Sequence, residues 1–320
     1  MSRAGKIVWA ALACLLLCAQ SPGALAQKAK SGGERGPERR RDVRSVTIPV
    51  TLRLPERAPR EEIQYLEELK VFEDGEQQEI LATRGAPRSP LTLAVLVQDD
   101  LVSSFGNEMR AIGDFIRRLP PGSRVMVAYL RAGSLQVRQK FTIDLERAAR
   151  SLRIPQASTA AAPYNPFALT RDAVKRFESQ PVGRRAVLLF SDGTDLSRGV
   201  ENSSPGTSFD LQRAINEAQR AAVAVYSVYA PAVGTGTQPF VNNGQGSLNR
   251  LSEETGGRAF FQGTGAPVSV DRFLRDIDTL LSRQFALTYL STHPSKGFHR
   301  LCVVADLEEG EIHYPHGYTR

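Results

Sequence analysis

Apolar and polar residues follow two different periods along this chain. Residues 46–54 alternate between apolar and polar side chains, which predicts a half-buried β-strand. The Glu73-Asp74-Gly75 stretch lies between two extended runs and predicts a hairpin turn. Residues 45–88 are therefore predicted to form a small β segment.

Strand and helix patterns alternate through the middle of the chain. Apolar runs predict strands at residues 91–98, 123–131, 135–143, 184–195, 224–231 and 258–261. Helical spacing predicts helices at residues 106–119, 145–152, 166–179, 209–223, 247–257 and 270–285. This alternation predicts an α/β fold over residues 89–285, with a doubly wound, mostly parallel sheet and helices on both of its faces.

The pattern returns to β after residue 285. Residues 286–320 are predicted to form a C-terminal β hairpin and tail, with HPSKG as the turn. Small β segments thus flank the α/β domain at both ends. Pairing of the two flanking segments with each other is one arrangement open to them.

The first 26 residues have the layout of a secretory signal peptide. Arg3 and Lys6 precede an apolar run over residues 7–19, and Ala24-Leu25-Ala26 is a small-residue cleavage motif. We expect cleavage after Ala26 and export to the periplasm or the extracellular space, with no transmembrane segment afterwards. An uncleaved anchor and a lipoprotein cysteine at Cys14 are the weaker alternatives.

Most of the formal charge of +7 is local. Residues 28–44 hold seven basic and three acidic side chains among Gly, Ser and Pro, so residues 27–44 are predicted to be a basic, disordered linker. The body that follows is nearly neutral, which argues against nucleic-acid binding. After cleavage Cys302 is the one remaining cysteine, so no intrachain disulfide is expected, and its role stays open.

The sequence lacks the usual signatures of catalysis. All four histidines lie in the C-terminal tail, away from the strand ends of the predicted central sheet: His293, His299, His313 and His316. There is no Gly-x-Ser-x-Gly elbow, phosphate-binding loop or dinucleotide fingerprint. We therefore predict that the protein is not an enzyme. A metal-dependent hydrolase that uses Asp192 is the enzymatic alternative.

Two predicted buried strands end on carboxylates. LTLAVLVQDD ends on Asp99 and Asp100, and RRAVLLFSD ends on Asp192. Ligands of open α/β sheets bind beyond the carboxyl ends of the strands, where these acids should meet. Further oxygen donors near this edge are Ser103, Ser104 and Thr159. Such oxygens suit Mg²⁺, although each acid taken alone is more simply explained as a helix cap or a turn residue.

Several segments together resemble the von Willebrand factor type A (VWFA, or vWA) domain. They are LTLAVLVQDDLVSSFGNEMRAIGDFI, RRAVLLFSDGTD, AQRAAVAVYSVYAP and LSEETGGRAFF, in this order. The flanks LEELKVFEDGEQQEI and QFALTYLSTHPSKGFHRLCVV resemble those of exported VWFA-related proteins of Acidobacteria. The resemblance spans residues 45–310 and implies a Rossmann-like fold with a metal-ion-dependent adhesion site. In the family that site usually holds Mg²⁺ through Asp-x-Ser-x-Ser, a distant Thr and a later Asp.

The adhesion motif is degenerate in this chain. Asp192 matches the later Asp of the family motif, and Thr159 is the nearest candidate for the distant Thr. The two readings of the first motif are Asp99-Leu101-Ser103 and Asp100-Val102-Ser104. Either reading replaces one hydroxyl with an apolar side chain. The resemblance thus names Mg²⁺ as the ion, if one is bound.

The sequence favours an exported, non-catalytic vWA-like module that binds a protein partner. Its ligand face would consist of the loops 99–106, 155–167, 192–207 and 231–246, at the carboxyl ends of the sheet. If metal is present, an acidic side chain of the partner would complete its coordination shell. The alternative function is a structural scaffold of the cell envelope whose vWA fold no longer binds metal.

Overall fold

The structure is a computed structural model. It describes residues 44–53, 69–86, 89–199, 203–265, 267, 269–305 and 310–320. The predicted signal peptide and residues 27–43 of the predicted linker lie outside the described residues.

The described residues form two β-sheets and several helices. The strands are β1 (Arg44–Arg53), β2 (Lys70–Glu73), β3 (Glu76–Arg84), β4 (Thr92–Gln98), β5 (Arg124–Arg131), β6 (Ser134–Thr142), β7 (Arg185–Ser191), β8 (Ala224–Tyr229), β9 (Ala259–Phe260), β10 (Gln284–Ser291), β11 (Phe298–Val304), β12 (Glu311–His313) and β13 (Gly317–Thr319). The α-helices are α1 (Met109–Arg118), α2 (Leu145–Arg150), α3 (Pro166–Lys175), α4 (Phe209–Arg220), α5 (Gln238–Glu254) and α6 (Asp271–Ser282). Short 3₁₀ helices span Ser103–Glu108, Thr159–Ala161 and Arg176–Ser179.

The two flanking segments join into one antiparallel sheet of seven strands. Its order is β12-β1-β10-β3-β2-β11-β13. Strand β10 lies between β1 and β3, with Val50 opposite Phe285 and Thr83 opposite Leu287. Its apolar side chains form a core of their own, in which Val50 and Leu287 are fully buried. The pairing of the flanks with each other is thus confirmed.

The second sheet has six strands in the order β6-β5-β4-β7-β8-β9. Strands β5, β4, β7, β8 and β9 are parallel neighbours, whereas β6 runs antiparallel to β5. The turn between β5 and β6 explains this reversal. Ala132 and Gly133 both have positive φ, at 45° and 71°, and such a two-residue turn closes an antiparallel hairpin.

The predicted fold class is wrong. A single doubly wound, mostly parallel sheet with minor β flanks was expected, but the molecule has a seven-stranded antiparallel sheet and a six-stranded mixed sheet. The physical reason is that the two flanking segments lie far apart in sequence. Each of them is too short for its own pattern to predict a large sheet. Brought together, they supply more strands than the central domain does.

Helices cover both faces of the six-stranded sheet. Strands β4, β7 and β8 are buried along their full length. Helices α1, α2 and α6 pack their apolar side chains on one face, through residues such as Phe115 and Ile277. Helices α3, α4 and α5 cover the other face, through residues such as Phe167 and Leu248.

Helix α5 begins earlier than the sequence pattern predicted. A helix was expected from residue 247, but α5 starts at Gln238, so half of the expected loop 231–246 is helical. Glycines in the first half of α5 interrupt the apolar spacing from which a helix is predicted. Gly244 faces the end of β7, where a Cβ would lie 2.0 Å from the Asp192 carbonyl oxygen. Glycine therefore permits the close approach of α5 to Asp192.

Candidate functional site

The acids that follow β4 and β7 lie at one edge of the six-stranded sheet. These strands are parallel, with Val97 opposite Phe190, so both point their carboxyl ends the same way. We call Asp99, Asp100 and Asp192 the acidic edge. All three side chains are buried, at 0%, 3% and 2% exposure.

Gln98, the last residue of β4, links two acids of the acidic edge. Its Nε2 donates to Asp100 Oδ1 at 2.8 Å. Its Oε1 accepts hydrogen bonds from Ser191 Oγ and, at 3.3 Å, from the backbone N–H of Asp192. A single buried amide thus holds the ends of β4 and β7 together.

Two arginines hold Asp99. Arg153 donates to both of its oxygens, at 2.6 and 2.8 Å, in the bidentate geometry of strong ion pairs. Arg131, the last residue of β5, lies 3.3 Å from Oδ2. The Asp99 hydrogen bond raises the pKa of Arg153, whose guanidinium also lies 4.1 Å from the ring centroid of Tyr129. The position of Asp99 is thus fixed by a cationic pair.

Asp100 and Asp192 carry the protonation chemistry of the acidic edge. Burial, together with the charge of Asp192, raises the pKa of Asp100 from 3.8 to about 6, although the Gln98 hydrogen bond opposes this. Burial also raises the pKa of Asp192. Asp192 accepts hydrogen bonds from Thr235 Oγ1 at 2.7 Å and from the Thr194 N–H at 3.1 Å. Both carboxyls are therefore more easily protonated than in solution.

The predicted hydroxyl ligands lie outside this buried cluster. Ser103 and Ser104 start a 3₁₀ helix and are exposed, and Thr159 is exposed on its own short 3₁₀ helix. Thr159 lies beside Gly234, where a Cβ would be 3.8 Å from its methyl group. The loops of the three hydroxyls thus border the acidic edge, with their side chains at the surface.

The six predicted residues do not form a compact ligand set. Within the described part of the chain, Asp99, Asp100 and Asp192 are not a group whose ligand atoms all lie within 4.8 Å of one another. Leu101, at the missing hydroxyl position, is fully buried. Two guanidinium groups already neutralise Asp99. The donor set as arranged therefore does not fit Mg²⁺, which needs several oxygens at about 2.0–2.1 Å in an octahedron.

Sequence reasoning missed four residues that shape this edge. They are Gln98, Arg131, Arg153 and Thr235. Arg131 carried a signal, because it ends a predicted strand at the same edge as the acids. Arg153 lies in a connection after α2, 54 residues from Asp99, and its pairing has no local signature.

Large apolar side chains are exposed on the loop beside the acidic edge. Ile154, next to Arg153, is 64% exposed, and Tyr164, further along the same connection, is 56% exposed. Tyr164 also has a positive φ of 59°, a strained conformation for an aromatic residue. Its backbone oxygen accepts a hydrogen bond from the Leu196 N–H at 2.8 Å, which fixes the loop against the segment after β7.

Comparisons with known proteins found distant similarities. No protein-family model and no curated protein matches the chain. One similar solved structure is an aerotolerance-related membrane protein of Bacteroides fragilis, at 12% identity and a TM-score of 0.42, which covers 60% of this chain and 98% of that one. A second is the VWA domain of SpRpn10, at 12% identity and a TM-score of 0.39, which covers 61% of this chain and 97% of that one. A third is the manganese-loaded TRAP protein of Plasmodium vivax, at 12% identity and a TM-score of 0.40, which covers 76% of this chain and 100% of that one.

One of these structures is thus named for the VWA domain that the sequence motifs resemble. The link to the Acidobacteria subgroup stays a prediction. Among the described residues, no helix has the length and apolar character needed to cross a membrane.

Proposed function

We propose that this chain is an exported, non-catalytic, vWA-like module that binds a protein partner beside the acidic edge. The observation that carries this proposal is the exposure of Ile154, which directly follows Arg153 of the Asp99–Arg153 ion pair, and of Tyr164 further along the same connection. Aromatic and arginine side chains are the residues that most often anchor protein interfaces.

A degenerate adhesion site is part of this proposal. Arg153 and Arg131 occupy the charge position that a metal ion would take beside Asp99. Each guanidinium has five N–H donors, more than one carboxylate accepts. Both side chains are about a quarter exposed, at 26% and 29%. An acidic side chain of the partner would therefore meet these guanidinium groups in place of a metal ion.

Export is proposed from the N-terminal pattern alone. The non-catalytic role is supported by the state of the three edge carboxyls. Asp99 is ion-paired, and Asp100 and Asp192 accept hydrogen bonds from Gln98, Thr194 and Thr235. These contacts satisfy the carboxyls internally and give them a structural role.

The test compares two isoleucines of nearly equal exposure at opposite edges of the sheet. Ile154 lies beside the acidic edge, whereas Ile143 follows β6, whose end pairs with the start of β5. Their exposures are 64% and 66%. Partner capture from envelope extracts of the source cells is measured by quantitative proteomics for Ile154→Ser, Tyr164→Ala and Ile143→Ser.

We expect Ile154→Ser and Tyr164→Ala to lose the captured partner and Ile143→Ser to retain it. Circular dichroism controls for the fold of each variant. Equal capture by all three variants would refute a binding face beside the acidic edge.

The structural scaffold is the second candidate function, and the size of the antiparallel sheet favours it. This sheet exposes Phe298 and Leu81, at 54% and 48%. Deletion of residues 45–88 would remove β1, β2 and β3 and unfold the sheet, so point variants are the suitable probe. Association of the protein with the cell envelope is then measured for each variant. If Phe298→Ser and Leu81→Ser abolish this association while Ile154→Ser does not, the scaffold function is supported and the binding-module function is rejected.

A further inference from the structure

A second polar cluster lies in the antiparallel sheet. It consists of Glu73, Asp74, His293 and His299, and we call it the imidazole–carboxylate cluster. Glu73 ends β2, and Asp74 starts the turn to β3 with a positive φ of 50°. His299 lies in the neighbouring strand β11, and His293 follows β10. Glu73, Asp74 and His299 each offer one ligand atom, and these three atoms lie within 4.8 Å of one another.

Glu73 is fully buried, and only one of its oxygens is satisfied. Oε1 accepts hydrogen bonds from Tyr318 OH at 2.9 Å and from Ser291 Oγ at 3.0 Å. Oε2 has no hydrogen-bond partner among the described residues. A buried carboxylate oxygen without a partner carries a desolvation penalty, because it has lost its water and gained no donor. Such an atom points to a further binding partner.

Two more buried polar atoms of this region share that property. Within the described residues, His293 Nδ1 has no hydrogen-bond partner, and it lies 4.0 Å from Glu73 Oε1. The Tyr289 hydroxyl is likewise without a partner there. Glu73 and His293, neighbouring side chains of the cluster, thus each have a buried polar atom without a partner.

The hydrogen bonds of His299 indicate which of its ring nitrogens carries a proton and which faces the carboxylates. Nε2 lies 3.0 Å from the Ser295 carbonyl oxygen, which only accepts, so Nε2 carries a proton. Nδ1 faces Asp74 Oδ2 at 2.7 Å and Glu73 Oε1 at 3.5 Å. A neutral imidazole would aim its Nδ1 lone pair at two carboxylates, so a positive charge belongs between them. A carbonyl that fixes the other ring nitrogen is the usual support of a metal-bound histidine.

We propose that the imidazole–carboxylate cluster binds one Zn²⁺ ion through Glu73, Asp74, His293 and His299. Imidazole nitrogens and carboxylate oxygens are zinc ligands, and bonds of about 2.0–2.1 Å in a tetrahedron separate ligand atoms by about 3.3 Å. The separations of 2.7 and 3.5 Å around His299 bracket that value, so small movements bring Glu73, Asp74 and His299 onto one ion. His293, whose Nδ1 lies 4.0 Å from Glu73 Oε1, is outside that compact group and moves further to become the fourth ligand. Asp74 and His293, whose side chains are 37% and 20% exposed, provide an entry path.

This site is independent of the proposed binding face, since its residues belong to the other sheet. The alternative occupant of the cluster is a proton on His299 Nδ1, which would satisfy Asp74 in an ordinary ion pair. Zinc binding distinguishes the two, because a proton leaves no stoichiometric metal.

The experiment uses the full chain without an affinity tag, which is stripped of metal, incubated with Zn²⁺ and then dialysed to remove unbound zinc. Native mass spectrometry counts bound Zn²⁺, and competition with a chromophoric chelator gives its affinity. Asp74→Asn is the main variant, because asparagine tolerates the positive φ and keeps an oxygen for the Arg300 N–H, now 2.8 Å from Asp74 Oδ1. His293→Gln is the second variant, and His316→Gln, at an exposed histidine of the same tail, is the matched control.

We expect one Zn²⁺ per chain, with affinity lowered at least about tenfold by Asp74→Asn and by His293→Gln. His316→Gln should leave the affinity unchanged, and excess Mg²⁺ should not displace the zinc. Absence of stoichiometric zinc, or equal affinity in all the variants, would overturn the proposal and leave a protonated His299 as the occupant.

Discussion

Replacement of Asp100 by asparagine should stabilise the protein in a pH-dependent way. Asp100 is 3% exposed, and its pKa is raised to about 6, chiefly by burial. Asparagine has the same shape and keeps an oxygen to accept the hydrogen bond from Gln98 Nε2. The substitution therefore removes a buried charge and retains the main contact of the side chain.

The size of the effect follows from the pKa. A rise from 3.8 to about 6 corresponds to about 3 kcal/mol at 1.36 kcal/mol per unit. Because the folded protein binds this proton more tightly than the unfolded chain, the contribution to stability is present below pH 3.8 and is lost as the pH rises through about 6. Asp100→Asn avoids that loss. Its advantage over the wild type should grow between about pH 4 and 6 and reach at most about 3 kcal/mol at pH 7.

The assay is urea unfolding followed by circular dichroism at several pH values from 3.5 to 8. In the difference in unfolding free energy between variant and wild type, the contributions of the titratable groups that both proteins share cancel. Asp276→Asn, at an exposed aspartate of α6, controls for the general effect of removing one negative charge. A difference that does not vary with pH, or a wild type more stable than Asp100→Asn at pH 7, would refute the reasoning.

Three further predictions concern the surroundings of the acidic edge. Arg153→Met should destabilise the fold by about 3 kcal/mol in urea unfolding, at the lower end for a broken buried pair because Arg131 remains. Addition of Asp99→Asn to this variant should restore most of the lost stability. If the double variant instead loses the sum of the two single losses, the ion-pair account is contradicted. Millimolar Mg²⁺ should leave the thermal midpoint unchanged; a rise of several degrees that disappears in Asp192→Ala would show that the ion binds. Gly244→Ala should cost about 1–3 kcal/mol because its Cβ would meet the Asp192 carbonyl oxygen, whereas the same change at Gly236, with open space around it, should be nearly neutral.

Local patterns predicted the strands and the edge that carries the acids. The abrupt ends of two apolar runs placed Asp100 and Asp192 at one edge, and the structure joins them through Gln98. The flanking strands were also visible as alternating residues. Pairing of the flanks was one open arrangement, but the strand order and the seven-stranded size of the sheet were not predicted. The strands β1 and β10 are separated by more than 200 residues, as the Thr47–Thr288 pair shows.

The chemistry of the acids depended on contacts that no local pattern reveals. Asp99 matched a family ligand position, but its state is set by Arg153, which comes from a separate connection. The histidines were set aside because they lie outside the central domain. Strand pairing of β11 with β2 brings His299 to Asp74 across 225 residues. Sequence spacing within one domain could not indicate a site built from both ends of the chain.

The two clusters of buried acids differ in the cations that the fold provides for them. At the acidic edge, guanidinium groups stay charged at all ordinary pH values, and two of them lie against Asp99 in place of a metal ion. In the antiparallel sheet the nearby bases of Glu73 and Asp74 are imidazoles, which can lose their proton and become ligands. The family resemblance directs attention to the first cluster, whereas the donor chemistry favours metal binding at the second. Comparison of Mg²⁺ and Zn²⁺ on the same chain therefore tests both interpretations at once.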